Sequence, residues 1–138
     1  MAKIFKQIGK KLVLVDSEAQ KEKTVKRDVE SHIQCDIVSW FRKEYNDSQY
    51  IIAGIPNGAA VSVTNRKRLT REGLFSGFSD LIIIGQKGTF FVEVKTEAKS
   101  SKQSNEQKKF EKVVTSFGYK YEVLRSLKEF QEFCKNNL

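Results

Sequence analysis

The stretch Ser79-Asp80-Leu81-Ile82-Ile83-Ile84-Gly85-Gln86-Lys87-Gly88-Thr89-Phe90-Phe91-Val92-Glu93-Val94-Lys95 holds two apolar runs joined by a short polar turn. β-Branched and aromatic residues favour strands, and Gly85-Gln86-Lys87-Gly88 fits a tight turn between them, so the stretch reads as a β-hairpin. Pairing Gly85 with Gly88 sets the register, and Asp80 then falls opposite Glu93. Opposed residues in an antiparallel pair have Cβ atoms roughly 5 Å apart, a separation at which like charges destabilise. Lys95 follows Glu93 by two residues and projects from the same face. Two carboxylates and an ammonium around one point describe a divalent-metal site with a cationic helper, whose natural work is phosphodiester hydrolysis. The Val94 carbonyl lies between the two functional side chains and adds a candidate oxygen ligand for a hard ion such as Mg²⁺. The competing reading is a strand-edge acid in a plain salt bridge between Glu93 and Lys95. The opposed Asp80 favours the metal site.

The rest of the composition agrees with a nucleic-acid partner. The chain has 138 residues, 39% hydrophobic and 30% charged, which suits one globular domain. Its net charge of +8 points to a polyanion. Cys35 and Cys134 are the only cysteines and have no CxxC spacing, so neither zinc nor a disulfide framework is expected. No apolar run approaches a membrane span and no signal peptide is apparent, so a cytosolic location is expected.

Working outward, residues 1–27 read as an N-terminal extension and residues 28–138 as the domain. The extension has apolar runs around Ile4-Phe5 and from Leu12 to Val15, which fit a hairpin, and then a polar stretch, 16–27, expected as a loop or linker. From 28 to 45, Ile33, Ile37, Trp40, Phe41 and Tyr45 recur at helical spacing, and Glu30 and Gln34 continue their line near the expected helix start. A strand over 50–55 closes at Pro56-Asn57-Gly58. Asn65 is placed to cap a short basic helix carrying Arg66, Lys67, Arg68 and Arg71, with Gly73 as its stop. A polar loop with Lys99 and Lys102 follows the hairpin. Ser104-Asn105-Glu106-Gln107 matches a capping box, opening a helix with Phe110, Val113, Val114 and Phe117 on one side. A strand over 119–124 and a helix opened by Ser126-Leu127-Lys128-Glu129 complete the chain. The order predicts an α/β fold with a mixed sheet flanked by helices.

Three further groups bear on chemistry. Inward polar residues on a helix need partners, so Glu30 is a candidate ligand of a second metal or of a metal-bound water. Its competing role is an acid near a helix N-terminus, favoured by the dipole. Gln107 faces the sheet and can reach the metal-site lysine or a DNA phosphate, or bond back to Ser104 as the last residue of its capping box. The basic helix with Lys99 and Lys102 can line a path of phosphates, or form a solvated face. His32, the sole histidine, excludes a histidine-metal nuclease and a Ser-His-Asp triad, and reads as structural.

Taken in order, these pieces resemble the VRR-NUC domain of the PD-(D/E)xK nuclease superfamily. The matching residues are Glu30-x-x-x-Gln34, Ile55-Pro56-Asn57-Gly58, Arg71-Glu72-Gly73, Gly77-Phe78-Ser79-Asp80-Leu81 and Phe91-Val92-Glu93-Val94-Lys95. They continue through Ser104-x-x-Gln107-x-x-Phe110, Gly118-Tyr119 and Arg125-Ser126. Ser79 stands where the superfamily's name has proline, a position that holds no ligand. The resemblance implies a restriction-endonuclease-like core with Asp80, Glu93 and the Val94 carbonyl as ligands of Mg²⁺ or Mn²⁺. It implies Lys95 as catalytic lysine, Glu30 as an added acid and Gln107 as a supporting residue. It also implies kinship with small homodimeric phage or prophage endonucleases acting on branched DNA, including four-way (Holliday) junctions. The alternatives are a non-catalytic DNA-binding module of the same fold and a nuclease without junction preference.

Overall fold

The computed structural model describes the backbone of residues 3–8, 11–56 and 62–138, and the side chains of residues 28–56 and 62–138. Two strands come first, β1 (Lys3–Ile8) and β2 (Lys11–Asp16), paired antiparallel from Lys3 with Asp16 to Ile8 with Lys11. A long helix, α1 (Ser17–Glu44), leads into β3 (Tyr50–Gly54). Then come α2 (Val63–Arg71), the hairpin of β4 (Leu81–Gly85) and β5 (Gly88–Val94), α3 (Asn105–Ser116), β6 (Lys120–Leu124) and α4 (Leu127–Asn137).

The expected hairpin register is present: Gly85 pairs with Gly88 and Leu81 with Val92. The sheet order is β3-β4-β5-β6, with β6 joined parallel to β5. A parallel partner requires a crossover, and α3 supplies it. Gly85 also serves β3, because a Cβ there would meet the Tyr50 ring at 2.0 Å. Alternation along β5 sends Phe90, Val92 and Val94 into one core with Ile37 and Phe41 of α1 and Phe130 and Phe133 of α4. Phe91 points the other way, into a smaller cluster with Phe110, Val114 and Tyr121 under α3. The fold is thus the expected α/β arrangement, a mixed four-stranded sheet with helices on both faces.

Several local expectations change. The polar stretch 17–27 is helix rather than linker, since α1 starts at Ser17. Ala, Gln, Glu and Lys are strong helix formers and no Gly or Pro interrupts the segment, so polarity alone misreads it. Glu30 therefore lies deep inside α1, and the helix-dipole explanation for it falls away. Ser62, not Asn65, caps α2: Asn65 is the third helical residue, and its N–H donates to Ser62 Oγ at 3.2 Å. Gly73, with φ 107°, follows the end of α2 as expected. The Ser104–Gln107 capping box forms in full. Its counterpart at α4 forms by half: Ser126 Oγ accepts from the Glu129 N–H, while the Glu129 carboxylate accepts from the Arg125 N–H at 2.7 Å. The expected turn residues Asn57 and Gly58 lie outside the described residues. Among the described residues, no helix is long and apolar enough to cross a membrane.

Candidate active site

Asp80 sits one residue before β4, where the sheet holds it on two sides. Its carbonyl accepts the Ile55 N–H at 2.8 Å, and its Oδ2 accepts the Val94 N–H at 2.8 Å. The preceding Ser79 is buried and its hydroxyl donates to the Leu81 carbonyl at 3.0 Å, which fixes the entry into the strand. The approach to Asp80 depends on Gly77. Its φ is 83°, and a Cβ there would lie 2.4 Å from the Glu106 carbonyl carbon. Only glycine lets this segment press against the first turn of α3, and that turn carries Gln107.

Glu93 is fully buried on the α3 side of β5. Lys95 Nζ donates to its Oε1 at 2.8 Å, and Gln107 Nε2 donates to the same oxygen. Tyr121 Oη lies 3.4 Å from Oε2. Gln107 Oε1 simultaneously accepts the Ser104 N–H at 2.7 Å. Of the roles weighed for Gln107, the capping bond to Ser104 forms, while its amide reaches Glu93 rather than the lysine. Lys95 is itself buried and lies 3.9 Å from Glu30 Oε1. Glu30 is fixed by Ser101, whose hydroxyl donates to it at 3.0 Å and accepts the Thr96 N–H at 3.0 Å. Arg125 closes this loop by donating to the carbonyls of Thr96 and Ser101.

The cluster is electrostatically unbalanced. Burial pushes the Glu93 carboxyl up to about 7, and the charge of Asp80 adds to the rise against the opposing bond from Lys95. Burial likewise raises Asp80, against the bond from Val94. Burial alone would lower Lys95, but its bond to Glu93 and the field of three acids outweigh this and raise it. Tyr121 is pushed up by burial and by Glu93, so its hydroxyl keeps its proton. With every group ionised, the three acids Glu30, Asp80 and Glu93 face one ammonium, leaving an excess of negative charge in a poorly solvated place. An oxygen-rich donor set with that excess fits a hard divalent cation. Among the described residues no three His, Cys, Asp or Glu side chains are gathered to cage an ion unaided. Two carboxylates completed by backbone and solvent oxygens match the way Mg²⁺ is usually held.

The remaining candidates stand apart. Gln34 lines a groove between α1 and β3 with Ser31, Cys35 and Val38. Arg66, Lys67 and Arg71 line an open groove on α2, whereas Arg68 is tied to Glu72 at 2.8 Å on the exposed surface. Lys99 and Lys102 are exposed on the loop that Arg125 clasps. None of these six cations bonds to the cluster among the described residues. His32 is exposed, with Nδ1 2.7 Å from the Asp28 carbonyl, a local helix contact. Sequence reasoning missed Ser101 and Tyr121, and quoted Arg125 in the family resemblance without giving it a role. Tyr121 alternates like any core residue, and nothing in the polar loop distinguishes Ser101 from its neighbours.

Comparison with known proteins bears on this arrangement. The VRR-NUC domain profile matches residues 16–128. No curated protein matches the chain. Among solved structures, a "VRR_NUC domain protein" superposes with a TM-score of 0.62 at 19% identity, covering 80% of this chain and 88% of that one. At that identity the likeness is one of fold.

Proposed function

The chain belongs to the VRR-NUC domain family, a family of nucleases, and from that premise we propose that it is a divalent-metal-dependent DNA endonuclease selective for branched DNA such as four-way junctions. The single observation that carries the reading is the convergence of Asp80, Glu93 and Lys95 on one buried point with an excess of negative charge. Asp80 and Glu93 would hold Mg²⁺ or Mn²⁺, with the Val94 carbonyl as a neutral oxygen and Glu30 as a further candidate. Bound there, such an ion supplies Lewis acidity toward a phosphate oxygen and toward water.

The chain's own groups do the rest. Lys95 stays charged because three acids surround it, so its ammonium can orient the attacking water or offset charge developing on the phosphate. Gln107 is fixed to the Ser104 backbone and holds Glu93 in place. Arg66, Lys67, Arg68 and Arg71 on α2, with Lys99 and Lys102, would contact phosphates without reading bases. A single site makes a single nick, so paired cuts across a junction call for a homodimer.

The test is a panel of junction, flap, duplex and single-stranded DNA incubated with Mg²⁺, Mn²⁺ or EDTA. The reading expects metal-dependent cleavage, fastest on the branched substrates, leaving a 5′-phosphate. It expects Asp80→Ala to abolish cleavage and keep DNA binding. Equal rates on every substrate would remove the junction preference and leave the nuclease. Tight binding without cleavage under any ion would leave only a DNA-binding module.

A further inference from the structure

Tyr121 is buried on β6 beside Phe91 and takes no part in the chemistry described so far. Its surroundings give its hydroxyl a direction. Gln103 Nε2 lies 2.8 Å from Glu111 Oε2 and 3.4 Å from Tyr121 Oη. A carboxylate only accepts, so the Gln103 amide presents its NH₂ to both neighbours. Tyr121 Oη therefore accepts from Gln103 and has its one hydrogen left for Glu93 Oε2, at 3.4 Å. Lys95 and Gln107 both donate to the other oxygen, Oε1. Donors on one oxygen leave a carboxylate free to swing about it, whereas a donor on each fixes its plane.

We propose that Tyr121, held by Gln103 and Glu111, is a positioning residue that sets the plane of the Glu93 carboxylate for ion binding. This rests on the nuclease reading and deepens it. Groups that orient a ligand from behind are commonly worth about 10- to 100-fold in metal affinity, and the bonds here are long, so the low end applies.

The experiment measures Mn²⁺ affinity of the full chain by the electron paramagnetic resonance signal of free Mn²⁺. Cleavage kinetics and metal-free DNA binding are read alongside. Tyr121→Phe should weaken Mn²⁺ binding about 10-fold and lower kcat by a similar factor, with KM for DNA and metal-free DNA binding unchanged. Gln103→Met, which keeps the tyrosine and removes its orienting donor, should shift Mn²⁺ affinity the same way by less, and it covers the case in which Tyr121→Phe folds poorly. Tyr119→Phe, at an exposed tyrosine, should change nothing. Wild-type Mn²⁺ affinity in Tyr121→Phe and Gln103→Met, with binding lost in Asp80→Ala, overturns the positioning role alone. Mn²⁺ binding absent from the wild type, or unaffected by Asp80→Ala, overturns the nuclease reading and this inference with it.

Discussion

Toward α1 and α4, β5 presents Phe90, Val92 and Val94; toward α3 it presents Phe91 and then Glu93. Val92 and Glu93 are adjacent and equally inaccessible to water. The first side is a continuous hydrocarbon core in which each buried large side chain contributes about 1.5–3 kcal/mol. The second starts as an aromatic cluster and ends in charge. Burying a carboxylate costs several kcal/mol unless partners compensate, and the bonds from Lys95, Gln107 and Tyr121 still leave Glu93 raised to about 7. One face makes the fold stable. The other keeps an electrostatic tension that a proton or a cation relieves, and the proposed cation site draws on that tension.

That contrast can be broken at either face. The largest effect belongs to Asp80→Ala. Cleavage of a branched substrate should fall at least ~10³-fold, about 4 kcal/mol of transition-state stabilisation. Metal-free stability by denaturant titration should shift by no more than about 2 kcal/mol, because relief of a repelling charge is offset by the acceptor lost from the Val94 N–H. Phe130→Ala does the reverse. Phe130 is fully buried against Trp40, Phe41 and Phe133, and its truncation should cost about 3–5 kcal/mol in denaturant unfolding. Protein that remains folded should keep wild-type Mn²⁺ affinity.

The pH response separates the faces next. Glu93 titrates near 7 in the folded protein against an ordinary 4.5, so the folded state holds a proton through that window that the unfolded state has released. Its stabilising share is present below 4.5, is lost as pH rises to about 7 and stays lost above. In EDTA, the wild type should lose on the order of 2–3 kcal/mol between pH 4.5 and 8 relative to Glu93→Gln, and a divalent ion at pH 8 should restore part of it. A wild type whose pH profile parallels that of Glu93→Gln contradicts the tension. Ser101→Ala is smaller still: it strips the donor from Glu30 and the acceptor from the Thr96 N–H, and about 1–2 kcal/mol of stability should go with them. The smallest effect is expected from Lys99→Ala or Lys102→Ala, each lowering DNA affinity a few-fold and uniformly across sequences, with a shallower salt dependence.

The same contrast decides what the sequence discloses. The hairpin, its register and the meeting of Asp80, Glu93 and Lys95 were legible because alternation and two turn glycines determine which side chains oppose each other. The helix under Phe110 was legible from its capping box and spacing. The first half of α1 was not, because a polar run of helix formers has no apolar stripe to announce it. Ser62 was passed over in favour of Asn65, three residues on, because both are capping types and only the backbone tells which stands outside the helix. Glu30 was found by its line with Ile37, but its partner Ser101 lies across a loop, and contacts of that kind leave no periodic trace. Tyr121 was hidden for a related reason: a buried aromatic on a strand reads as packing, and only the distances from Gln103 and Glu93 reveal its hydroxyl.

Calorimetric titration of Mn²⁺ into the metal-free chain at pH 6.5, repeated in buffers of different ionisation enthalpy, bears most directly on the shared charge of Asp80 and Glu93. One saturable site per chain is expected, with binding that releases a fraction of a proton as Glu93 ionises, and Asp80→Asn should abolish it. A flat isotherm for the wild type, or the same isotherm in Asp80→Asn, would contradict the claim that these two carboxylates are held together for a cation.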